Sequence, residues 1–514
     1  MSSNGSAPSG PDVRVAIIGA GFSGLGFAIR LKQQGDEDFV IFEKAEGVGG
    51  TWWANIYPGC QCDVPSNLYS LSSAPNPGWT RTYSNQPEIQ TYLEGCVERF
   101  GLAPHLRLGT EVLSADWEEE TRLWRIRTPG GELTARFLIG GIGPLSEPAL
   151  PEVPGIEDFE GTVFHSAGWD HEHDLRGERV AVVGTGASSI QFLPRIQPHA
   201  QRLHLFQRTP PWVMPHPDRR ITRLERRLYR AIPALHRLNR LFIYLSREWM
   251  AAGLTRHRWM LRPLERIGRL HMRRQVPDPE LRRKLRPSYA LGCKRILVSD
   301  DWYPALVQPN VEVLDQAIAE VLPRSVVAAD GTEREVDTIV LGTGFRVTDF
   351  IGARAIRGAG GVSLAEHWDG SPQAYLGTAI AGFPNFFMLL GPNTGLGHNS
   401  VVYMIESQIE HLTAVLEETE RRGAASVEVR PEAQQRFNQE VQRRMPPTVW
   451  NSGGCASWYI DRTGVNSTIW PGFTWRFRQI AKRLRPGDYR FEPAPSAGLD
   501  GAAAAAKRVE EVAA

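Results

Sequence analysis

The pattern that most restricts this chain is a short apolar run ending in spaced glycines, and it occurs twice. Val13–Ile18 leads directly into Gly19-Ala-Gly21-Phe-Ser-Gly24, and an apolar stretch of helical character follows. The second copy is Arg179-Val-Ala-Val-Val183, then Gly184-Thr185-Gly186, then Ala-Ser188-Ser189-Ile-Gln191. A buried strand, a tight turn and an apolar helix in that order are the opening of a parallel βαβ unit. Ser189 stands where the first copy has Gly24. A small residue at that place still lets helix and strand approach closely.

The predicted fold class is therefore α/β, with two Rossmann-like dinucleotide-binding domains in one chain. In each turn the first glycine allows a sharp reversal and the second a close backbone approach to a pyrophosphate. The helix N-terminus behind them offers unpaired N–H groups and the positive end of its dipole. A second apolar strand follows each turn, Phe39–Glu43 in the first fold and Leu203–Thr209 in the second. Twenty-four positions separate Gly19 from Glu43, and the same interval separates Gly184 from Arg208. A carboxylate there accepts both ribose hydroxyls and repels a 2′-phosphate, whereas an arginine binds that phosphate through paired, charge-assisted bonds. The expectation is FAD on the fold carrying Glu43 and NADPH on the fold carrying Arg208, with Thr209 as a further donor. The plainer reading of Arg208 is a surface cation at a strand end.

At 514 residues the chain exceeds one hydrophobic core, and its formal net charge of +1 gives no reason to expect nucleic acid. Cys60, Cys62, Cys96, Cys293 and Cys455 are an odd, scattered set without metal-ligand or disulfide-framework spacing, which suits a reducing cytosol. Residues 1–12 lack the regions of a signal peptide, and no stretch approaches the roughly 18 apolar residues of a membrane span. A cytoplasmic, soluble protein is expected. The predicted organisation is a disordered N-terminus (1–12), an FAD-binding domain (13–145 and 373–490), an NADP-binding domain (146–218 and 288–372) and a flexible tail (491–514). Residues 219–287, rich in Arg and Leu at helical spacing, read as a helical insert in the second domain. Its basic face is expected to be solvated or to meet the NADPH phosphates, and a membrane surface or acidic partner is the sharper alternative. Glu111–Trp117, Trp124–Thr128 and Glu132–Ile139 alternate like a β-meander, with Pro129-Gly-Gly as a turn.

Two such folds imply a flavin that takes hydride from a nicotinamide and passes the electrons onward. A disulfide reductase would need a redox cysteine pair just beyond the first ribose acid, where this chain has Trp52, and a bond between Cys60 and Cys62 would be strained. Two longer strings point elsewhere. Phe159-x-Gly161-x-x-x-His165-x-x-x-Trp169-Asp170 matches the pattern F-x-G-x-x-x-H-x-x-x-W-[PD]. Gly49, Gly50, Trp52, Tyr57, Pro58, Gly59 and Asp63 fill a second pattern, [AG]-G-x-W-x-x-x-x-[FY]-P-[GM]-x-x-x-D. On these the chain resembles the type I Baeyer–Villiger monooxygenases, from about Val13 to Asp488. Related N- and S-oxygenating flavin monooxygenases typically carry Tyr or Phe at the place of Trp169.

The resemblance implies an NADPH- and O2-dependent conversion of ketones to esters or lactones through a C4a-peroxyflavin. That anionic oxidant needs a permanent cation beside it and exclusion of water. Leu291-Gly-Cys-Lys294-Arg295 is similar to the family's Gly-x-Lys-Arg segment, which makes Arg295 the active-site arginine and Asp63 its partner. Further implied contacts are Gly50, Thr51, Trp52, Tyr69 and Val112 for FAD. For NADP they are Thr185, Ser188, Gln191, Lys294, Arg295 and Trp458, the last on a loop that folds over the coenzyme. His165 reads as a structural residue between domains, and His398 sits in a glycine-rich turn before the helical Val401–Glu418. Trp53, Trp450 and Trp470 serve either a large apolar pocket or the core. The rival activities are N- or S-oxygenation and an NADPH oxidase or reductase. The expected partners are a small ketone and O2, with no metal.

Overall fold

The structure is a computed structural model that describes residues 10–347 and 352–494. Two sheets organise it. The first has eight strands, in the order Ile356–Arg357, Ser114–Glu118, Leu123–Thr128, Gly131–Gly140, Val13–Ile18, Phe39–Phe42 and Leu106–Arg107, with Phe386–Met388 also pairing Gly131–Gly140. Val13–Ile18 lies parallel to both neighbours, with Val15 opposite Phe39 and Phe137, and Ile17 opposite Ile41 and Ile139. Val15, Ile17, Phe137 and Ile139 are fully buried, each stabilising the fold by roughly 1.5–3 kcal/mol relative to an exposed position. Such two-sided burial is why these strands read as unbroken apolar runs.

The second sheet is parallel throughout, in the order Val311–Leu314, Arg202–Phe206, Arg179–Val183, Thr338–Leu341 and Thr162–His165. The two cores are α/β and Rossmann-like, and they repeat each other in detail. Gly19 donates its N–H to Phe42 O at 2.7 Å, and Gly184 donates to Phe206 O at 3.0 Å. Their φ values, +99° and +101°, lie where a side chain is rarely tolerated. Helices Phe22–Gln33 and Ala187–Ile196 follow, with no side-chain cap at either N-terminus. The antiparallel meander of the first sheet forms, its first strand starting at Ser114 rather than Glu111. A second meander, Ile318–Leu322, Ser325–Ala328 and Glu333–Glu335, carries no counterpart among the sequence expectations.

Within 219–287 the described elements are helices Arg223–Ala231, Pro233–Thr255, Arg262–Gln275 and Pro279–Lys284, and a short 3-10 turn at Arg258–Leu261. Residues 1–9 and 495–514, expected to be disordered, lie outside the described residues. Within the described part both ends are shorter than expected. The Asp12 carboxylate accepts from Thr134 N at 2.7 Å, and Phe491 and Glu492 finish a strand paired with Ser426–Val429. The cysteine reading also needs correction. Cys293 and Cys455, 162 residues apart, form a disulfide, while Cys60, Cys62 and Cys96 are free and buried. Sequence spacing carries no signal for a bond closed only by the tertiary fold.

Candidate active site

Both glycine turns open into one cavity of about 1460 Å³. Gly19, Gly21, Glu43, Gly50, Thr51, Trp52, Asp63, Tyr69 and Val112 line it from the first fold. Gly184, Thr185, Gly186, Ser188, Gln191, Arg208, Thr209, Lys294, Arg295 and Trp458 line it from the second and its loops. Gly24 and Ser189 do not line it. A methyl on Gly24 would lie 1.9 Å from Gly19 O, and the Ser189 hydroxyl lies against Gly342, so both serve close packing behind the turns. Both turns leave open space at their second glycine. A Cβ on Gly21 would meet only backbone of Gly49 and Gly50, at 3.6 Å or more, and one on Gly186 only Gly342 O at 3.9 Å. Glu43, 8% exposed, accepts from Ala20 N at 2.8 Å and Ala45 N at 3.0 Å, which aims its carboxylate at the turn.

Beyond the second strand of the second fold the arrangement is cationic. Arg208 is exposed and Lys294 half-buried, and neither joins an ion pair among the described residues. Lys294 is held below its ordinary value by burial and then by the nearby charge of Arg208. Two neighbouring cations paired with no carboxylate are arranged for an anion. Thr209 lies beside them, its carbonyl accepting from Thr185 Oγ1 at 3.0 Å.

Between the folds stands the pair Arg295–Asp63. Arg295 Nε donates to Asp63 Oδ2 at 2.7 Å and Nη2 to Oδ1 at 2.6 Å, while Nη1 donates to Leu396 O at 3.0 Å. The side chains keep 29% and 24% exposure, so the pair borders the cavity and is not sealed in a core. Burial works against both charges, but each charge outweighs that for its partner. Asp63 is pulled below the usual carboxylate range and Arg295 pushed further up. The guanidinium is thus a fixed positive charge that cannot act as an acid.

The free thiols argue against redox cysteine chemistry. Burial pushes Cys60 up to about 12, and Cys62 is raised further for the same reason. Neither is a thiolate at neutral pH. Gln191 bridges the folds, its Oε1 accepting from Tyr57 OH at 2.9 Å and its Nε2 donating to Gln61 O at 3.0 Å.

The most diagnostic string lies off the cavity, since none of Phe159, Gly161, His165, Trp169 and Asp170 is among its lining residues. A Cβ on Gly161 would sit 2.2 Å from Asp337 O. The Trp169 ring packs on Phe164 and Phe192, and Asp170 accepts from Glu172 N at 2.9 Å. His165 Nδ1 accepts from Ala167 N at 3.0 Å, and burial lowers its proton affinity. Trp450 and Trp470 are core residues, whereas Trp53 is 41% exposed and lines the cavity.

One constellation was not legible beforehand. Glu248, buried on the helix Pro233–Thr255, accepts from Asn399 Nδ2 and Thr474 Oγ1 at 2.7 Å each and from Thr474 N at 3.0 Å, and pairs with His398 Nε2 at 3.2 Å. Burial opposes its charge, but His398, Thr474 and Asn399 together hold the carboxyl below its ordinary value. The glycine-rich turn before Val401 is thereby fastened to the long insert helix.

Residues 16–233 match the family described as pyridine nucleotide-disulphide oxidoreductase. The chain is 51% identical to a Baeyer–Villiger monooxygenase of Streptomyces coelicolor over 486 residues, 94% of each protein. It is 49% identical to one of Pseudomonas aeruginosa over 488 residues, 95% of this chain and 93% of that one. It superimposes on an oxidised steroid monooxygenase bound to NADP with a TM-score of 0.82 and 31% identity, over 94% of this chain and 100% of that one. At about half identity to two Baeyer–Villiger monooxygenases over more than nine tenths of its length, the chain belongs to the Baeyer–Villiger monooxygenases.

Proposed function

We propose that Glu43 and the Gly19–Gly24 turn hold FAD, that Arg208, Thr209 and Lys294 hold the 2′-phosphate of NADPH, and that Arg295 directs oxygen from O2 into a ketone. The observation that carries this reading is the bidentate Arg295–Asp63 pair on the wall of a cavity reached by both glycine turns. FAD reduced by NADPH supplies activated oxygen, and the product of insertion beside a carbonyl is an ester or lactone. The protein's own contribution is electrostatic and positional. Arg295 offers a permanent cation to negative charge developing on oxygen, which is worth most where water is excluded. Asp63 holds the guanidinium in a fixed plane through two bonds and leaves Nη1 on Leu396 O. Trp458, 49% exposed beside the cavity, is placed to cover bound coenzyme. Gly50, Thr51, Trp52, Tyr69 and Val112 complete the FAD side, and Thr185, Ser188 and Gln191 the NADPH side.

N- or S-oxygenation needs no such arginine, and a disulfide reductase needs thiols that this cavity does not ionise. The test is product analysis with NADPH, O2 and a panel of cyclic and aryl ketones, sulfides and amines. Ester formed in step with NADPH consumption, and lost in Arg295→Ala while NADPH oxidation continues to hydrogen peroxide, is the expected result. Oxidised sulfide or amine with untouched ketone, or peroxide alone from the unaltered enzyme, overturns the reading.

A further inference from the structure

The long insert helix Pro233–Thr255 is turned inside out relative to an ordinary surface helix. From His236 to Glu248 its inward face carries polar anchors, and its last turns pack Ala251 and Leu254 into the core. His236 Nε2 meets Asn67 Oδ1 at 3.1 Å, Arg240 Nη1 donates to Ser70 O at 2.8 Å, Tyr244 OH meets Thr474 Oγ1 at 3.0 Å, and Glu248 is buried as described. Its outward face is apolar. Leu235, Leu238, Phe242, Leu245 and Trp249 recur at intervals of three and four, which places them on one side of a helix. Phe242 is 71% exposed, Leu238 61% and Leu245 56%. The preceding helix, Arg223–Ala231, extends this surface, with Leu228 and Tyr229 sharing a shallow apolar groove of about 440 Å³ with Leu235, Leu238 and Phe242. Scattered exposed leucines need no explanation, but a continuous stripe on a helix anchored by its polar face does.

The charges around the stripe select its occupant. Arg223, Arg227, Arg230 and Arg237 are exposed and join no ion pair among the described residues. Of the two carboxylates of these helices, Glu225 borders the groove but is paired with Arg219 at 2.7 Å, and Glu248 lies in its buried cluster. A second copy docked by two-fold symmetry would set one arginine rim against another. A layer of anionic headgroups over an apolar interior matches both features, since the aliphatic and aromatic side chains enter the acyl boundary while guanidinium groups pair with phosphates.

We infer that the helices Arg223–Ala231 and Pro233–Thr255 form a docking face that seats the enzyme on an anionic lipid surface. No described helix is long and apolar enough to cross a membrane, so the attachment is peripheral and reversible.

The test is sedimentation of the flavin-loaded, full-length protein with vesicles of phosphatidylcholine alone and of an equal mixture with phosphatidylglycerol. The expected result is about tenfold or more stronger partitioning to the mixed vesicles, weakening as salt rises. The double substitution Leu238→Glu/Phe242→Glu removes binding, and Arg227→Gln/Arg237→Gln reduces it on the anionic vesicles alone. Flavin content and circular dichroism of each variant report folding, and the arginine pair keeps the test open if the first variant misfolds. Equal partitioning to both vesicles, no partitioning, or binding unchanged in the folded variants overturns the inference. So does a dimer by light scattering that Leu238→Glu/Phe242→Glu dissociates while vesicles capture nothing.

Discussion

If Arg208 and Lys294 read the 2′-phosphate, removing either must cost NADPH and spare NADH. The geometry sets the scale. Both side chains line the cavity and join no ion pair among the described residues, so each contributes to an anion without first breaking one. A charge-assisted hydrogen bond contributes about 1.5–3 kcal/mol, and the exposure of Arg208 places it at the lower end. Arg208→Ala is expected to lose about 1.5–2 kcal/mol, roughly ten- to thirtyfold in the KM for NADPH. Lys294→Ala loses one arm of a point charge, and about five- to tenfold is expected. Neither change should move the KM for NADH by more than about twofold, because that coenzyme has no phosphate to lose. Steady-state oxidation of both coenzymes, with a saturating ketone, gives the ratio of kcat/KM values directly. Equal changes for NADPH and NADH in Arg208→Ala, or a change below about twofold for NADPH, would refute the charge-reading argument and return Arg208 to an ordinary surface cation.

Other consequences are as open to measurement. Asp63→Asn keeps the shape but halves the anchoring of Arg295; ester per NADPH is expected to fall about tenfold, with peroxide rising, while the KM for NADPH stays within about threefold. Gly24→Ala places a methyl 1.9 Å from Gly19 O and should yield protein without flavin, whereas Gly95→Ala, on an exposed helix position with nothing within 4 Å, should leave flavin content unchanged and raise stability by about 0.5–1 kcal/mol. His411, held neutral between Ala481 O and Tyr489 OH, is pushed down to about 4 by burial. The unfolded chain therefore binds its proton first, so stability should fall as pH drops from about 6.5 to 4 and this contribution should level off below; the full effect is about 3 kcal/mol. Denaturant titrations of unaltered protein and His411→Gln across that window report it, and an identical slope in both would remove His411 as the cause.

The readable part of this chain was local. The two glycine turns lie in consecutive residues, and their equal interval to Glu43 and Arg208 survives folding because strand, turn and helix are rigid units. The first two glycines of each turn, with Glu43 and Arg208, line the same cavity. The pairing of Arg295 with Asp63 came through a motif match, for nothing in spacing relates positions 63 and 295. What escaped depended on the assembled core. The Cys293–Cys455 bond joins positions 162 residues apart. The Glu248 cluster draws on three distant segments. The leucines of 219–287 show helical spacing, but periodicity finds a face without saying which way it points. Here hydrogen bonds from buried polar groups turned it outward. The long fingerprint shows a different separation. A string can diagnose a family through packing at a sheet edge while its residues stay out of the cavity.

The bond between Cys293 and Cys455 also fixes a radius. Arg295 lies two residues beyond one end and Trp458 three residues beyond the other. Three extended residues reach on the order of 10 Å, so while the bond stands Trp458 can swing about its anchor but cannot leave its neighbourhood. Any movement of the cavity wall on that side is then the turning of a short arm, with its pivot attached to the same strip of chain that carries Arg295. Trp458 and Arg295, both on the cavity wall, are thereby tied to one cross-link, so those two stretches of wall are held together by a covalent bond and not by packing alone.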